Sequence, residues 1–145
     1  MKKTMEIKTE SYSLVDKQLP TIPVPHDCIV KEISLHDSWL IFDFEDDISY
    51  HDSIRGIRPG AHGLTMRFRV TDEKDITILA REIRKYEVVY VERQRKKLFE
   101  LAKKGRELEY LDHMAAYGFL QIELCSENSC ILRLAADRVV MEWKE

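Results

Sequence analysis

The sequence predicts an α+β domain built on a mostly antiparallel sheet or barrel, with one main helix at about residues 92–104. Short segments in which apolar and polar residues alternate recur along the chain, and this period of two is typical of strands with one buried face. Only one segment has clear helical spacing, and nothing indicates alternating βαβ units. The length of 145 residues corresponds to a single domain, 1–145.

The clearest strand lies at residues 64–71 (LTMRFRVT), where every second residue is apolar. Residues 28–35 and 38–45 form a predicted hairpin that turns at His36 and Asp37. Three prolines within residues 20–25 favour irregular, extended chain. Residues 107–117 suit either a helix or a strand. Further strands are predicted at 5–14, 76–80, 86–91, 119–125, 130–134 and 139–143.

The predicted helix at about 92–104 has an apolar stripe and a glycine, Gly105, placed to end it. Its surface is strongly basic, so it is a candidate for docking an acidic partner or nucleic acid. The interleaved glutamates favour an ordinary helix surface with salt bridges instead. The basic residues are Arg93, Arg95, Lys96, Lys97, Lys103, Lys104 and Arg106.

Composition excludes several classes of function. The formal net charge of −3 argues against a general nucleic-acid binder, because such proteins need a surplus of Lys and Arg. No apolar stretch is long enough to span a membrane, and the start MKKTMEIKTE lacks the apolar region of a signal peptide. Three cysteines without CxxC spacing predict reduced thiols rather than disulfides or a zinc ribbon. We therefore expect a cytoplasmic protein without a cofactor.

The segment FEDDISYHDSIRGIRPGAHG, residues 44–63, holds the residues most suggestive of a site. Glycines allow backbone N–H groups to approach an anion, and arginine side chains match phosphate or carboxylate groups. The alternative is a loop whose arginines pair with the preceding acids. From this segment we predict a binding loop, hinged by glycines, that contacts a partner through Tyr50, His51, Asp52, Arg55, Arg58 and His62.

A second hypothesis is a metal-dependent hydrolase that uses the same region. His51, Asp52 and His62, with Asp46 or Asp47, supply donor types that metals accept. However, His-Asp recurs at three places in the chain, all in loop-like settings where Asp commonly forms turns. No nucleophile motif accompanies these residues, so we assign no catalytic and no metal-binding residue.

Residues 25–46, PHDCIVKEISLHDSWLIFDFED, resemble the start of small bacterial domains of the immunity-protein type. The resemblance consists of an HD[CS] element before two apolar strands, and it implies a cytoplasmic protein that neutralises a partner by binding it. We therefore predict a non-enzymatic interaction domain, with a protein partner or a second copy bound through a sheet face or the loop. Trp39, Ile41 and Tyr50 are the candidate aromatic or apolar anchors. A small-ligand barrel is a third possibility.

Overall fold

The computed structural model describes residues 5–145. The first four residues of MKKTMEIKTE, the start that lacks the apolar region of a signal peptide, lie outside this range. The described residues form nine strands and two α-helices, with a 3₁₀ turn at Glu73–Asp75. The strands are β1 (Ile7–Ser13), β2 (Ile29–His36), β3 (Trp39–Phe44), β4 (Gly63–Val70), β5 (Thr77–Arg84), β6 (Glu87–Arg93), β7 (Leu108–Ala116), β8 (Phe119–Cys125) and β9 (Ser129–Lys144). The helices are α1 (Asp52–Ile57) and α2 (Arg95–Lys103).

All nine strands belong to one antiparallel sheet that closes on itself. The order β4-β3-β2-β7-β8-β9 runs through hydrogen-bonded neighbours, and β9 then pairs with β4. The remaining strands are additions to this ring: β1 pairs with β9, and the β5–β6 hairpin extends from β9 through β5. The prediction of a mostly antiparallel sheet with few helices is confirmed.

Strand β9 holds the closed sheet together because each half of it pairs with two other strands. Its first half pairs with β8 and β5, and its second half pairs with β4 and β1. The sequence predicted two strands here, 130–134 and 139–143. The structure instead has one strand with a bulge at Asp137, where the register between β4 and β9 shifts. The extra residue returns the apolar side chains of both halves to the interior.

The core fills the inside of the ring. Phe42 packs edge-on against Phe68, with ring centroids 5.2 Å apart, and against Tyr110 at 6.2 Å. All three rings are fully buried, as are Met66 and Trp143 to within 1%. The alternation noted in 64–71 identified a core-facing strand correctly, since its apolar residues are all buried to within 3%: Leu64, Met66, Phe68 and Val70.

The main helix is shorter than predicted. Helix α2 covers nine residues, Arg95–Lys103, rather than 92–104. Glu92 and Arg93 belong to β6 because β5 offers them backbone partners, at Leu79 and Ile78. The ambiguous residues 107–117 form β7, again because strands on both sides are available for pairing. Neither described helix has the length and apolar character needed to cross a membrane.

Candidate functional site

The segment predicted as a hinged loop instead packs in a defined conformation against the closed sheet. We call residues 46–62 of this segment the plug. Residues 52–57 form helix α1, which the sequence analysis did not anticipate. Ile48 and Ile54 are buried to within 1%, and Ala61 is fully buried. The backbone is also tied at its end, where the His62 N–H donates to the Lys144 carbonyl at 2.7 Å. The apolar side chains of this segment therefore belong to the core, and its polar residues are held on the outside.

Glu45 organises the first two predicted site residues. Its Oε2 accepts the Ile29 N–H at 2.7 Å and lies 3.0 Å from Nε2 of His51. The Tyr50 hydroxyl donates to the other carboxylate oxygen of Glu45, and this hydrogen bond raises the pKa of Tyr50 to about 12. The Tyr50 and His51 rings also stack, with centroids 3.9 Å apart. Both side chains are thus committed to contacts within the chain.

The other predicted site residues point elsewhere. Asp52 pairs with Arg55 one turn along α1, and both side chains are exposed. His62 Nδ1 lies 3.6 Å from Asp47. His51, Asp52 and His62 thus have three different carboxylate or guanidinium partners. Within residues 5–145 no group of three His, Cys, Asp or Glu side chains is placed to hold a metal ion.

Arg58 anchors the plug to the outer strand β1. Its Nε donates to Glu145 at 2.6 Å, and its NH1 group donates to Glu10 at 3.1 Å. Its guanidinium lies 5.7 Å from the centre of the Trp143 ring, and the Trp143 indole N–H donates to the same Glu10 oxygen at 2.6 Å. The Arg58 side chain contacts two carboxylates and the Trp143 ring, and only a quarter of it is exposed. It therefore stabilises the fold and is not free to bind an external anion.

Two of the three His-Asp pairs, His26-Asp27 and His36-Asp37, lie in turns, as the sequence suggested. Asp27 and Asp37 both have positive φ, 69° and 49°, which Asp tolerates better than most residues. In each case the preceding histidine, His26 or His36, contacts the aspartate side chain at the surface. These pairs therefore shape turns, and each involves only two side chains.

Cys28 follows His26 by two residues in the sequence, but it is not poised as a nucleophile. Burial, and then the negative charge of Glu45, raise the pKa of the Cys28 thiol to about 12. The His26 ring instead contacts the Leu111 carbonyl at 2.7 Å through Nδ1. All three cysteines are free thiols. The Cys28 thiol stays protonated near neutral pH, and the thiolate is the reactive form.

The β5–β6 hairpin carries a group of exposed large apolar side chains. It leaves the closed sheet beyond Ala80, the last β5 residue that pairs with β9. Tyr86 at its turn is fully exposed, and Ile83, Val88 and Tyr90 are 67%, 52% and 49% exposed. We call Ile83, Tyr86, Val88 and Tyr90 the hairpin surface. Ile83 lies opposite Val88, and Arg81 opposite Tyr90, so three of its four members share one face.

A groove separates the opposite face of the hairpin from α2. It encloses about 420 Å³ above an apolar floor that includes Ile78 and Leu98. Lys97 and Arg106 contribute to its lining, while Glu82 is engaged by Arg93 and Arg84. The basic character predicted for the helix therefore borders an apolar cleft beside the hairpin.

The sequence predicts a strand at 86–91 but does not identify the hairpin surface. The turn residues are Lys85 and Tyr86, both at positive φ, where asparagine and glycine are the usual signal. The run of β-branched and aromatic residues in EVVYVER was the one available clue. It predicts a strand but not whether that strand lies at an edge.

Comparison of this chain with protein-family models, curated proteins and solved structures gives no match.

Proposed function

We propose that this chain is a small cytoplasmic, non-enzymatic interaction domain that binds a protein partner through the β5–β6 hairpin. One observation carries the proposal: the hairpin projects from the closed sheet and exposes four large apolar side chains, Ile83, Tyr86, Val88 and Tyr90. Exposed apolar groups gathered on one projection are typical of surfaces that are covered in a complex. Tyrosines are common among the residues that dominate binding energy.

The residues first predicted to bind a partner support this location indirectly. Arg58 and His51 are engaged by carboxylates of their own chain, so a partner would have to displace existing contacts to use them. No such cost attaches to Val88 or Tyr90, whose side chains already face solvent. A role as an immunity-type inhibitor is one form that such a domain can take, and the likeness of residues 25–46 agrees with it.

Site-specific photocrosslinking tests the proposal. A photoreactive phenylalanine analogue replaces Tyr90 in one protein and Tyr117 in the control, because Tyr117 is also exposed, at 71%, but lies between β7 and β8. In cells that express the chain naturally, we expect a discrete protein adduct from position 90 and none from position 117. Absence of an adduct at position 90, or equal labelling at both positions, would refute a binding role for the hairpin.

A further inference from the structure

The outer edge of β6 is open along the whole strand. β6 pairs with β5 from Arg93, opposite Ile78, to Glu87, opposite Arg84. Within residues 5–145, no other strand pairs with β6. Edge strands are commonly protected from pairing by charged side chains, lysine above all, and by proline. EVVYVER contains neither lysine nor proline, and its charged residues, Glu87, Glu92 and Arg93, lie at its ends. The edge is therefore chemically suited to receiving another strand.

The hairpin geometry specifies which backbone groups are available. The two-residue turn at Lys85 and Tyr86 makes Arg84 and Glu87 a hydrogen-bonded pair. Hydrogen-bonded and non-hydrogen-bonded pairs then alternate along the ladder. As a result, Val88, Tyr90 and Glu92 direct their N–H and C=O groups away from β5.

We infer that the partner of β6 is the β6 of a second copy of this chain, paired antiparallel about a two-fold axis at Tyr90. This inference rests on the proposed function and names its partner. In this register Val88 meets Glu92 of the second copy and Tyr90 meets Tyr90. The outward-facing backbone groups of one copy therefore meet those of the other, and the two hairpins join into one four-stranded ribbon.

Side chains on the groove side of β6 select the same register. Glu87 lies opposite Arg93 of the second copy at both ends of the paired strands, and Val89 lies opposite Val91 between them. Opposite charges and apolar pairs that face each other across a ladder are both stabilising. On its groove side EVVYVER is thus complementary to its own reverse in charge and in apolar character, whereas on the other face Tyr90 meets Tyr90 and Val88 meets Glu92.

Neighbouring registers lose this match. An axis at Val89 places Lys85 opposite Arg93, which opposes two positive charges. An axis at Val91 places Val89 opposite Arg93 and brings Glu87 alongside Arg95, the first residue of α2. The axis at Tyr90 satisfies the charges at both strand ends while pairing β6 only with β6.

Charge reversal tests the register. Sedimentation equilibrium of the wild-type chain over a concentration series is expected to show a reversible monomer–dimer equilibrium. Glu87→Arg or Arg93→Glu alone removes two attractive pairs and creates two repulsive ones, so each should weaken dimerisation roughly tenfold or more. An equimolar mixture of the two variants restores opposite charges at both ends and should form the heterodimer. The double variant with both changes should regain the homodimer.

Two controls separate the interface from the fold of the hairpin. Arg93 also bonds Glu82 within its own chain, so Glu82→Gln removes that contact without changing the charges of β6. We expect this variant to dimerise like the wild type. Tyr90→Lys places two lysines at the axis and should weaken the dimer, whereas Tyr117→Lys should not. Melting temperatures close to that of the wild type verify that each variant is folded.

A wild-type chain that remains monomeric at every concentration would overturn the inference. So would single charge-reversal variants that dimerise normally, or a mixture that forms no heterodimer. These outcomes differ from failure of the proposed function. A monomeric chain whose position 90 still crosslinks a different protein keeps the hairpin as a binding surface and excludes only the second copy.

Discussion

Tyr110 and His113 meet in the interior of the protein, where the tyrosine hydroxyl lies 2.6 Å from Nδ1 of the imidazole. Nε2 of His113 is 3.0 Å from the carbonyl oxygen of Ile22, which only accepts hydrogen bonds. Nε2 therefore carries the proton, and Nδ1 accepts the proton of the Tyr110 hydroxyl. We call these two hydrogen bonds the relay. They connect the proline-containing segment around Ile22 to strand β7.

Replacing Tyr110 with phenylalanine should destabilise the protein by about 1–2 kcal/mol, because Nδ1 of His113 loses its donor in a largely buried site. Equilibrium urea denaturation measures the change. Tyr117→Phe is the matched control, since that side chain is exposed and should leave the free energy of unfolding nearly unchanged. Equal effects of the two substitutions would contradict a stabilising role for the relay.

The same relay makes stability depend on pH. Burial lowers the pKa of His113 from its usual value, 6.5, because the charged imidazolium is poorly solvated. The unfolded chain therefore takes up the proton first as pH falls. The contribution of neutral His113 to stability is complete above about pH 6.5 and is lost as pH falls toward the depressed pKa of the folded state.

We expect unfolding free energies measured from pH 8 to pH 5 to fall more steeply for the wild type than for His113→Gln, in which residue 113 no longer titrates. The difference should be confined to the region below about pH 6.5. Parallel curves for the two proteins would show that His113 does not titrate differently in the folded state.

Two arginines of the predicted binding loop should behave differently. Arg58→Ala removes hydrogen bonds to Glu10 and Glu145 in a half-buried cluster and should cost about 1–3 kcal/mol of stability. Arg55→Ala removes an exposed ion pair on α1 and should cost less than about 0.5 kcal/mol. Thermal and urea unfolding of both variants checks this order. A larger loss for Arg55→Ala would contradict the anchoring role of Arg58.

Helix α1 offers a second matched pair. Ile54 is buried to within 1% and should cost about 2–4 kcal/mol when replaced by alanine, because a cavity remains under the plug. Ile57 lies on the same helix with 43% of its surface exposed, so Ile57→Ala should cost less than about 1 kcal/mol. If the 46–62 segment were a mobile loop, both substitutions would have small and similar effects on urea unfolding.

Much of the local structure was predictable from alternation. Strands β3, β4 and β8 appear close to where the pattern of apolar residues placed them, because one face of each is buried. The prediction failed where two signals overlapped. At Glu92 and Arg93 the basic, helix-forming composition obscured the end of β6, and pairing with β5 decided the outcome.

The candidate site was harder to predict because the relevant contacts are distant in sequence. Arg58 reaches Glu10 and Glu145, and neither is identifiable as its partner from the chain alone. Tyr50, His51, Asp52, Arg55, Arg58 and His62 are adjacent in sequence but face separate partners in space. Their chemical types made these residues candidates for a site. The direction in which each side chain points depends on helix α1 and on the buried residues beneath it.

Alternation along the chain sufficed to show that this protein is rich in strands and buries one face of each, because that period depends only on neighbouring residues. Closure of the sheet did not follow from it, since closure depends on pairs such as Gly63 with Lys144 and on the bulge at Asp137. The exposure of β6 is likewise a tertiary outcome. A strand becomes an edge only when every other strand has been placed, and that placement leaves the self-complementary EVVYVER facing outward.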